Sequence, residues 1–254
     1  MNIIYIIILI IVCIICLTNN NYEYMTSETL FDKKDYLNDI PIFIINLKSR
    51  EERKKIAVEE LDKHDIVGEF IEGVDGNKLD RDDLISNGLI DDSTSYRKLR
   101  KGEIGCYFSH LKCWELILSS GKEYGIVLED DVVLDDNFRD EFNSLFSELE
   151  KHKWDYVCLG RRCNPKWFDE RNCNYGQQIN KNFYYPSLVG YATFAYVIKR
   201  GVIEGLLRKT FPISKPIDVV ILEENDRRRM RPIVLEHDLV KVRNINDSDT
   251  MGII

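Results

Sequence analysis

The chain has 254 residues, of which 44% are hydrophobic and 31% charged, and its formal net charge is −8. That balance excludes a disordered chain and a polytopic membrane protein. The acidic surplus argues against a general nucleic-acid binder, which needs a basic face for phosphates, but leaves room for a local pocket that takes one nucleotide. One domain of this length buries an ample core, whereas two would be tight.

Ile3–Leu17 is an unbroken apolar run dominated by isoleucine. At about 1.5 Å per residue it covers roughly 22 Å, against ~30 Å for a hydrocarbon core. Thr18 and the following asparagines stretch it toward a marginal span. No A-x-A-like cleavage site follows, and no Lys or Arg flanks the run to orient it. The expectation is a single-pass, N-terminal membrane anchor over residues 1–20, with a cleaved signal peptide as the rival. The rest of the chain then faces a lumenal or extracytoplasmic space, or is secreted if the segment is cleaved. Residues 21–39 read as a polar, acidic stalk, and the globular region is expected over 40–254.

Ile42–Ile45 is a continuous apolar run of strand length, as in a strand buried on both faces. Ser49 as N-cap and Glu52 at the third helical position open a helix carrying Ile56, Val58 and Leu61 on its apolar side. Phe70-Ile71 is a short strand that ends in a turn at Gly73-Val74-Asp75-Gly76. Residues 77–101 are polar, with a small helix at Arg81–Asn87. Ile104, Phe108, Leu111, Trp114 and Leu118 recur at steps of three and four, which makes an amphipathic helix that Gly121 stops. Gly125–Leu128 is the next buried strand and runs into Glu129-Asp130-Asp131. Phe138, Phe142, Leu145, Phe146 and Leu149 mark another helix, capped by Asp135, Asp136 or Asn137. Tyr156–Leu159 is a further strand. Residues 160–182 read as a long loop, Tyr191–Ile198 as a strand, and helices follow to Leu207 and near Asp218–Arg229. Strands alternating with helices give an α/β sheet of mostly parallel strands.

Seven cysteines are present. Cys13 and Cys16 lie in the apolar run. Cys106 and Cys113 are about 10 Å apart along one helix, too far to bridge. Cys158 reads as a buried thiol, and Cys163 and Cys173 flank a polar loop and can pair in an oxidising lumen. No second CxxC and no His cluster supports a zinc site.

In a parallel α/β sheet, ligands gather at the carboxyl ends of the strands. Glu129-Asp130-Asp131 sits at such an end, and two carboxylates one residue apart can bind a hard divalent ion that in turn holds a diphosphate. With 43 acids in the chain, about one such triplet arises by chance, so the preceding strand is what singles this one out. In Leu99–His110, Gly102 and Gly105 allow close backbone approach to a ligand, and helical N–H groups can cradle an anion. His110 can contact a sugar or act as a base. Arg50 and Arg53 follow the first strand and can meet phosphates.

On these residues the chain resembles glycosyltransferase family 25, which contains bacterial lipopolysaccharide sugar transferases and procollagen galactosyltransferases. Ile44-Ile45-Asn46-Leu47 with Arg50 and Arg53 is similar to the family's opening, and Val74-Asp75-Gly76 to its second motif. Gly102-Glu103-Ile104-Gly105-Cys106, with Ser109, His110 and Trp114, is similar to its most distinctive motif. Leu128-Glu129-Asp130-Asp131 resembles the acidic metal motif, and Pro216-Ile217-Asp218 a later acidic position. The tail Asn246–Thr250 resembles family members more loosely. The metal motif departs from the pattern by starting with Glu, and Gly190-Tyr191 is followed by an unusual Ala192-Thr193-Phe194.

The resemblance implies a single-domain GT-A fold, a Rossmann-type sheet with flanking helices, that takes a UDP-sugar as donor, a divalent metal such as Mn²⁺, and inverts the anomeric centre. It implies Glu129 and Asp131 as main metal ligands, with Asp130 orienting or ligating and His237 as a third ligand. It implies Asp218 as the general base, with Glu223 and Glu224 as neighbours that can substitute. Asn46, Leu47, Arg50, Arg53, Asp75, Gly76, Gly102, Glu103, Gly105, Ser109 and His110, with Asp130, are then the donor-binding residues. The implied reaction moves galactose or glucose to an acceptor hydroxyl on a lipopolysaccharide-type glycan or a collagen-like hydroxylysine. Acceptor contacts are expected in the loops at 77–98 and 160–182. The alternatives are Mg²⁺-dependent phosphoryl transfer on the same acids and an inactive module that binds a glycan or partner on the same fold.

Overall fold

In the computed structural model, residues 34–93, 97–160, 176–186, 193–226 and 229–243 are described. In chain order the helices are α1 (Tyr36–Asp39), α2 (Glu51–Asp62), α3 (Arg81–Ser86), α4 (Lys101–Ser120), α5 (Phe138–Leu149), α6 (Arg200–Leu207) and α7 (Ile217–Asp226). The strands are β1 (Ile42–Asn46), β2 (Glu69–Glu72), β3 (Tyr124–Glu129), β4 (Val132–Leu134), β5 (Tyr156–Cys158), β6 (Gln177–Gln178), β7 (Phe183–Tyr185), β8 (Ala195–Lys199), β9 (Pro232–Leu235) and β10 (Val240–Val242). A 3-10 turn, Gly76–Lys78, follows β2.

The main sheet has the order β2-β1-β3-β8-β5-β9-β7-β6. The pairs β1–β2, β1–β3 and β5–β9 are parallel, and the pairs β3–β8, β5–β8, β7–β9 and β6–β7 are antiparallel. Followed across the sheet, those pairings point β2, β1, β3, β5, β9 and β6 one way and β8 and β7 the other. The described sheet is thus mixed in its pairings and mostly parallel in direction. β4 and β10 form a separate two-stranded sheet.

Alternation along each central strand feeds two cores. Ile42, Ile44, Ile126, Leu128 and Val197 face one side, where they meet Phe138, Phe142 and Phe146 of α5. Phe43, Val127, Tyr196 and Ile198 face the other, against Ile104, Leu111, Trp114 and Ile117 of α4. Both faces being covered explains why β1 and β3 read as continuous apolar runs rather than as alternating ones.

Several boundaries differ from the sequence reading. The helix after β1 starts at Glu51 with Arg50 in the cap position and without a side-chain cap bond. Arg50 N–H donates to the Leu47 carbonyl (2.8 Å), which draws Ser49 into the turn and away from the cap. Glu51 and Glu52 still favour the positive end of the helix dipole. Residues Tyr36–Asp39, expected as the end of the stalk, form α1 instead. The Tyr36 ring packs tilted against Phe146 with centroids 4.8 Å apart, its N–H donates to Asn143 Oδ1 (2.8 Å), and its hydroxyl donates to Glu150 Oε2 (2.6 Å). The globular body accordingly begins at Tyr36. The loop expected over 160–182 contains β6, and β4, β7, β9 and β10 have no counterpart in the sequence reading. The apolar run Ile3–Leu17, the pair Cys163 and Cys173, and the tail Asn246–Thr250 lie outside the described residues. Among the described residues, no helix is long and apolar enough to cross a membrane.

Candidate active site

The parallel pairing of β1 and β3 sets Ile45 opposite Glu129, so both strands deliver their carboxyl ends to one place. The loop after β2 arrives beside them, and the first half of α4 closes the third side. The cleft between them is open at its mouth and encloses about 660 Å³ of empty space, solvent at the mouth included. Leu47, Arg53, Val74, Asp75, Gly76, Asn77, Gly102, Cys106, Ser109, His110, Glu129, Asp130 and Asp131 line it with Ile45.

Two glycines of the motifs set the approach of loop and helix. A Cβ on Gly76 would stand 1.8 Å from the Lys101 carbonyl oxygen, and one on Gly105 would stand 2.4 Å from the Val74 carbonyl oxygen. Their absent side chains let the β2 loop lie directly on α4. For Gly105 this corrects the expectation of close approach to a ligand: the backbone it admits is the protein's own. Ser109 pins the same contact, since its hydroxyl accepts from Val74 N–H (2.8 Å) and donates to the Gly105 carbonyl (2.7 Å). Glu103 lies outside the lining. Its carboxylate accepts from Arg100 N–H (2.8 Å) and pairs with Arg97, which secures the start of α4. Burial pushes the Glu103 carboxyl up, but the Arg97 and Arg100 bonds outweigh it and hold it below its ordinary value.

The acids form a charged wall. Arg53 pairs with Asp130 and, at 3.1 Å, with Asp131. Buried Asn46 donates to Asp130 Oδ2 (2.6 Å) and to the Arg50 carbonyl (3.1 Å), so it positions an acid instead of lining the cleft. The expectation that Arg53 meets phosphates is corrected to this extent: its guanidinium lies on the carboxylates. Burial, helped by Glu129 and Asp130 and opposed by Arg53, pushes the Asp131 carboxyl up to about 7. Asp131 Oδ1 is buried and has no hydrogen-bond partner. Crowded acids and an unsatisfied carboxylate oxygen fit a divalent cation, for which oxygen ligands are the usual set.

His110 stands opposite. It is fully buried, and its Nδ1 shares a 2.9 Å hydrogen bond with the Tyr196 hydroxyl, to which Trp114 Nε1–H also donates (2.9 Å). That pair of contacts turns Nε2 toward Glu129, whose Oε1 lies 3.7 Å away. The Cys106 sulfur completes a group with His110 and Glu129 in which the ligand atoms lie within 4.8 Å of one another. Burial pushes the Cys106 thiol far up, with Glu129 and Asp218 adding to it, while a bond to the Thr193 side chain opposes.

The remaining site candidates lie off this lining. Asp218 is half-buried in the first turn of α7, and burial raises its carboxyl, with Glu103 and Glu129 contributing. Glu223 pairs with Lys215, and Glu224 pairs with Lys209 at 2.7 Å. His237 is exposed in the turn between β9 and β10, and among the described residues the converging group of ligand atoms contains neither it nor Asp131. Cys106, which has no role in the sequence motifs, and Tyr196, which lies outside them, join the site only in the structure. The helical spacing of Cys106 and His110 was the available signal for the first; none existed for the second.

The family model described as glycosyltransferase family 25 (LPS biosynthesis protein) matches residues 39–221. The inactive glycosyltransferase 25 family member 3 of Homo sapiens is 34% identical over 133 residues, covering 49% of this chain and 22% of that protein. Procollagen galactosyltransferase 2 of Mus musculus is 31% identical over 128 residues, covering 48% and 20%. The chain thus spans about a fifth of the length of these curated relatives. Among solved structures, a glycosyltransferase involved in glycosylation of the major capsid of PBCV-1 aligns with a TM-score of 0.40 and 14% identity, covering 78% of this chain and 81% of that one. The family match extends over more than half of the chain and contains the cleft-lining segments of β1, the β2 loop, α4 and β3, so the chain belongs to glycosyltransferase family 25.

Proposed function

We propose that the chain transfers a hexose, galactose or glucose, from a UDP-sugar to an acceptor hydroxyl, with inversion at the anomeric carbon. The observation that carries the reading is the convergence of Glu129, Asp130 and Asp131 with the start of α4 in one cleft at the strand ends. Glu129 and Asp131 are the residues that would hold a divalent cation such as Mn²⁺, which when bound supplies Lewis-acid stabilisation of the leaving diphosphate. Asn46 and Arg53 keep Asp130 and Asp131 in place. Asp218 takes the acceptor proton as general base; its raised carboxyl suits that task, because a base with a pKa nearer the working pH transfers protons more effectively. The acceptor hydroxyl belongs to a lipopolysaccharide-type glycan or a collagen-like hydroxylysine, and the apolar run Ile3–Leu17 supports attachment to a membrane.

A second reading, a glycan- or partner-binding module without turnover, is favoured by one observation. Arg53 already pairs with Asp131, one of the two acids that the first reading gives to a cation, and with its neighbour Asp130. A donor screen separates the two. Release of UDP from UDP-galactose or UDP-glucose in the presence of Mn²⁺, with a hexose mass increment on an acceptor, supports transfer. Glycan binding in a calorimeter without UDP or Mn²⁺ binding supports the module.

A further inference from the structure

Cys106 and His110 are one helical turn apart on α4, so their side chains share a face. Glu129 meets them from the end of β3, and all three line the cleft. His110 Nε2 is buried without a hydrogen-bond partner and lies 3.7 Å from Glu129 Oε1. Its other nitrogen is occupied by the Tyr196 hydroxyl at 2.9 Å. A ring held through one nitrogen with the other presented bare is the arrangement found in metal-binding histidines, where the outer bond fixes ring orientation. In a tetrahedral site with bonds of about 2.0–2.3 Å, neighbouring ligand atoms stand about 3.3–3.8 Å apart. The His110–Glu129 separation is already in that range, and the group's outer limit of 4.8 Å asks for a movement of about 1 Å by a side chain.

We infer that Cys106, His110 and Glu129 form a three-ligand site for a borderline-soft divalent cation of the zinc or cobalt class, with its fourth position open to the cleft. The ligand chemistry sets the class. Thiolate and imidazole select such ions, whereas an all-oxygen set suits magnesium, calcium or manganese. Binding replaces the proton on the Cys106 sulfur, which leaves to the buffer. Three protein ligands and one open position is the pattern of a zinc site that accepts water or a substrate atom. This site differs from the cation position assigned to Glu129 and Asp131 above in its thiolate and imidazole ligands; the two share Glu129, and this one needs no glycosyl transfer to exist.

The test is a Co²⁺ titration of the full chain, read by absorption. A sulfur-to-cobalt charge-transfer band is expected for the native chain, and it disappears in Cys106→Ser. His110→Gln should weaken the apparent Co²⁺ affinity by at least roughly tenfold. Because His110 is buried, thermal melts accompany both variants, and Cys106→Ala serves as a second sulfur-free chain if Cys106→Ser melts early. A band of unchanged intensity in both Cys106 variants places the ion on another thiol and overturns the inference. Cobalt binding without any sulfur band places it on oxygen ligands and overturns the inference as well. Donor turnover measured on the native chain reads the glycosyltransferase assignment separately. Turnover without the sulfur band defeats this site and keeps that function; the band without turnover does the reverse.

Discussion

The two walls of the cleft handle buried charge in opposite ways. On the wall after β3, Arg53 pairs with Asp130 and Asp131 and Asn46 donates to Asp130, so much of the acids' charge is met by groups of the chain itself. On the wall made by α4, His110 is held from behind by Tyr196 and presents a bare nitrogen to the cleft, beside Cys106 and Glu129. The first wall pairs its acids within the chain yet leaves Asp131 Oδ1 without a hydrogen-bond partner, and the second leaves His110 Nε2 without one. Glu129 sits where they meet.

The largest expected effect tests the first wall. Arg53→Ala takes the Arg53 guanidinium from buried Asp130, and removing one partner of a buried pair costs roughly 3–5 kcal/mol. Urea denaturation should show that loss, and Asp130→Asn in the same chain should restore part of it. A change under about 1 kcal/mol, the level of an exposed pair, would mean that the wall is not balanced as described. The second wall answers to Tyr196→Phe. That change removes the hydroxyl shared by His110 and Trp114, so one or both buried nitrogens lose their partner, at about 2 kcal/mol. The same denaturation series measures it, and an unaltered midpoint would sink the claim that Tyr196 holds the ring.

Much of this contrast was legible from the sequence on one side only. β1, β3 and α4 announce themselves because strands covered on both faces become apolar runs and a packed helix keeps its 3.6 period. They carry Glu129–Asp131 and His110, and so the acids and the histidine were found. β9 was harder to read: Pro232 opens it, which demotes a strand in a sequence reading, yet Pro is tolerated as the first residue of a strand. β6 is two exposed glutamines, and β4 and β10 are three residues each, too short for a periodicity to show. Tyr196 lies 86 positions from His110 and meets it only through the antiparallel pairing of β8 with β3. Arg53 reads as a phosphate contact because no local pattern reveals that its helix turns it onto the acids.

The smallest effect concerns the start of α4, which carries the second wall. Glu103→Gln loses the charged partner of Arg97 and weakens the bond to Arg100 N–H, for about 1 kcal/mol at neutral pH. The sign with pH follows from the Glu103 carboxyl being held below its ordinary value. Its contribution is complete above the unfolded pKa of about 4.3 and fades as pH falls through the lower folded value. The stability difference between native and Glu103→Gln chains should therefore be constant from neutral pH to about pH 5 and shrink below about pH 4. A difference that grows on acidification would contradict it.

The most direct measurement of the central claim is Mn²⁺-dependent release of UDP from UDP-galactose and UDP-glucose by the native chain and by Asp131→Ala. The account predicts release by the native chain with at least one of these donors and a loss of roughly 100-fold or more in the variant, the scale seen when an electrostatic contributor to the transition state is removed. Equal metal-dependent release by both chains, or no release by a native chain that still binds glycan, would contradict it.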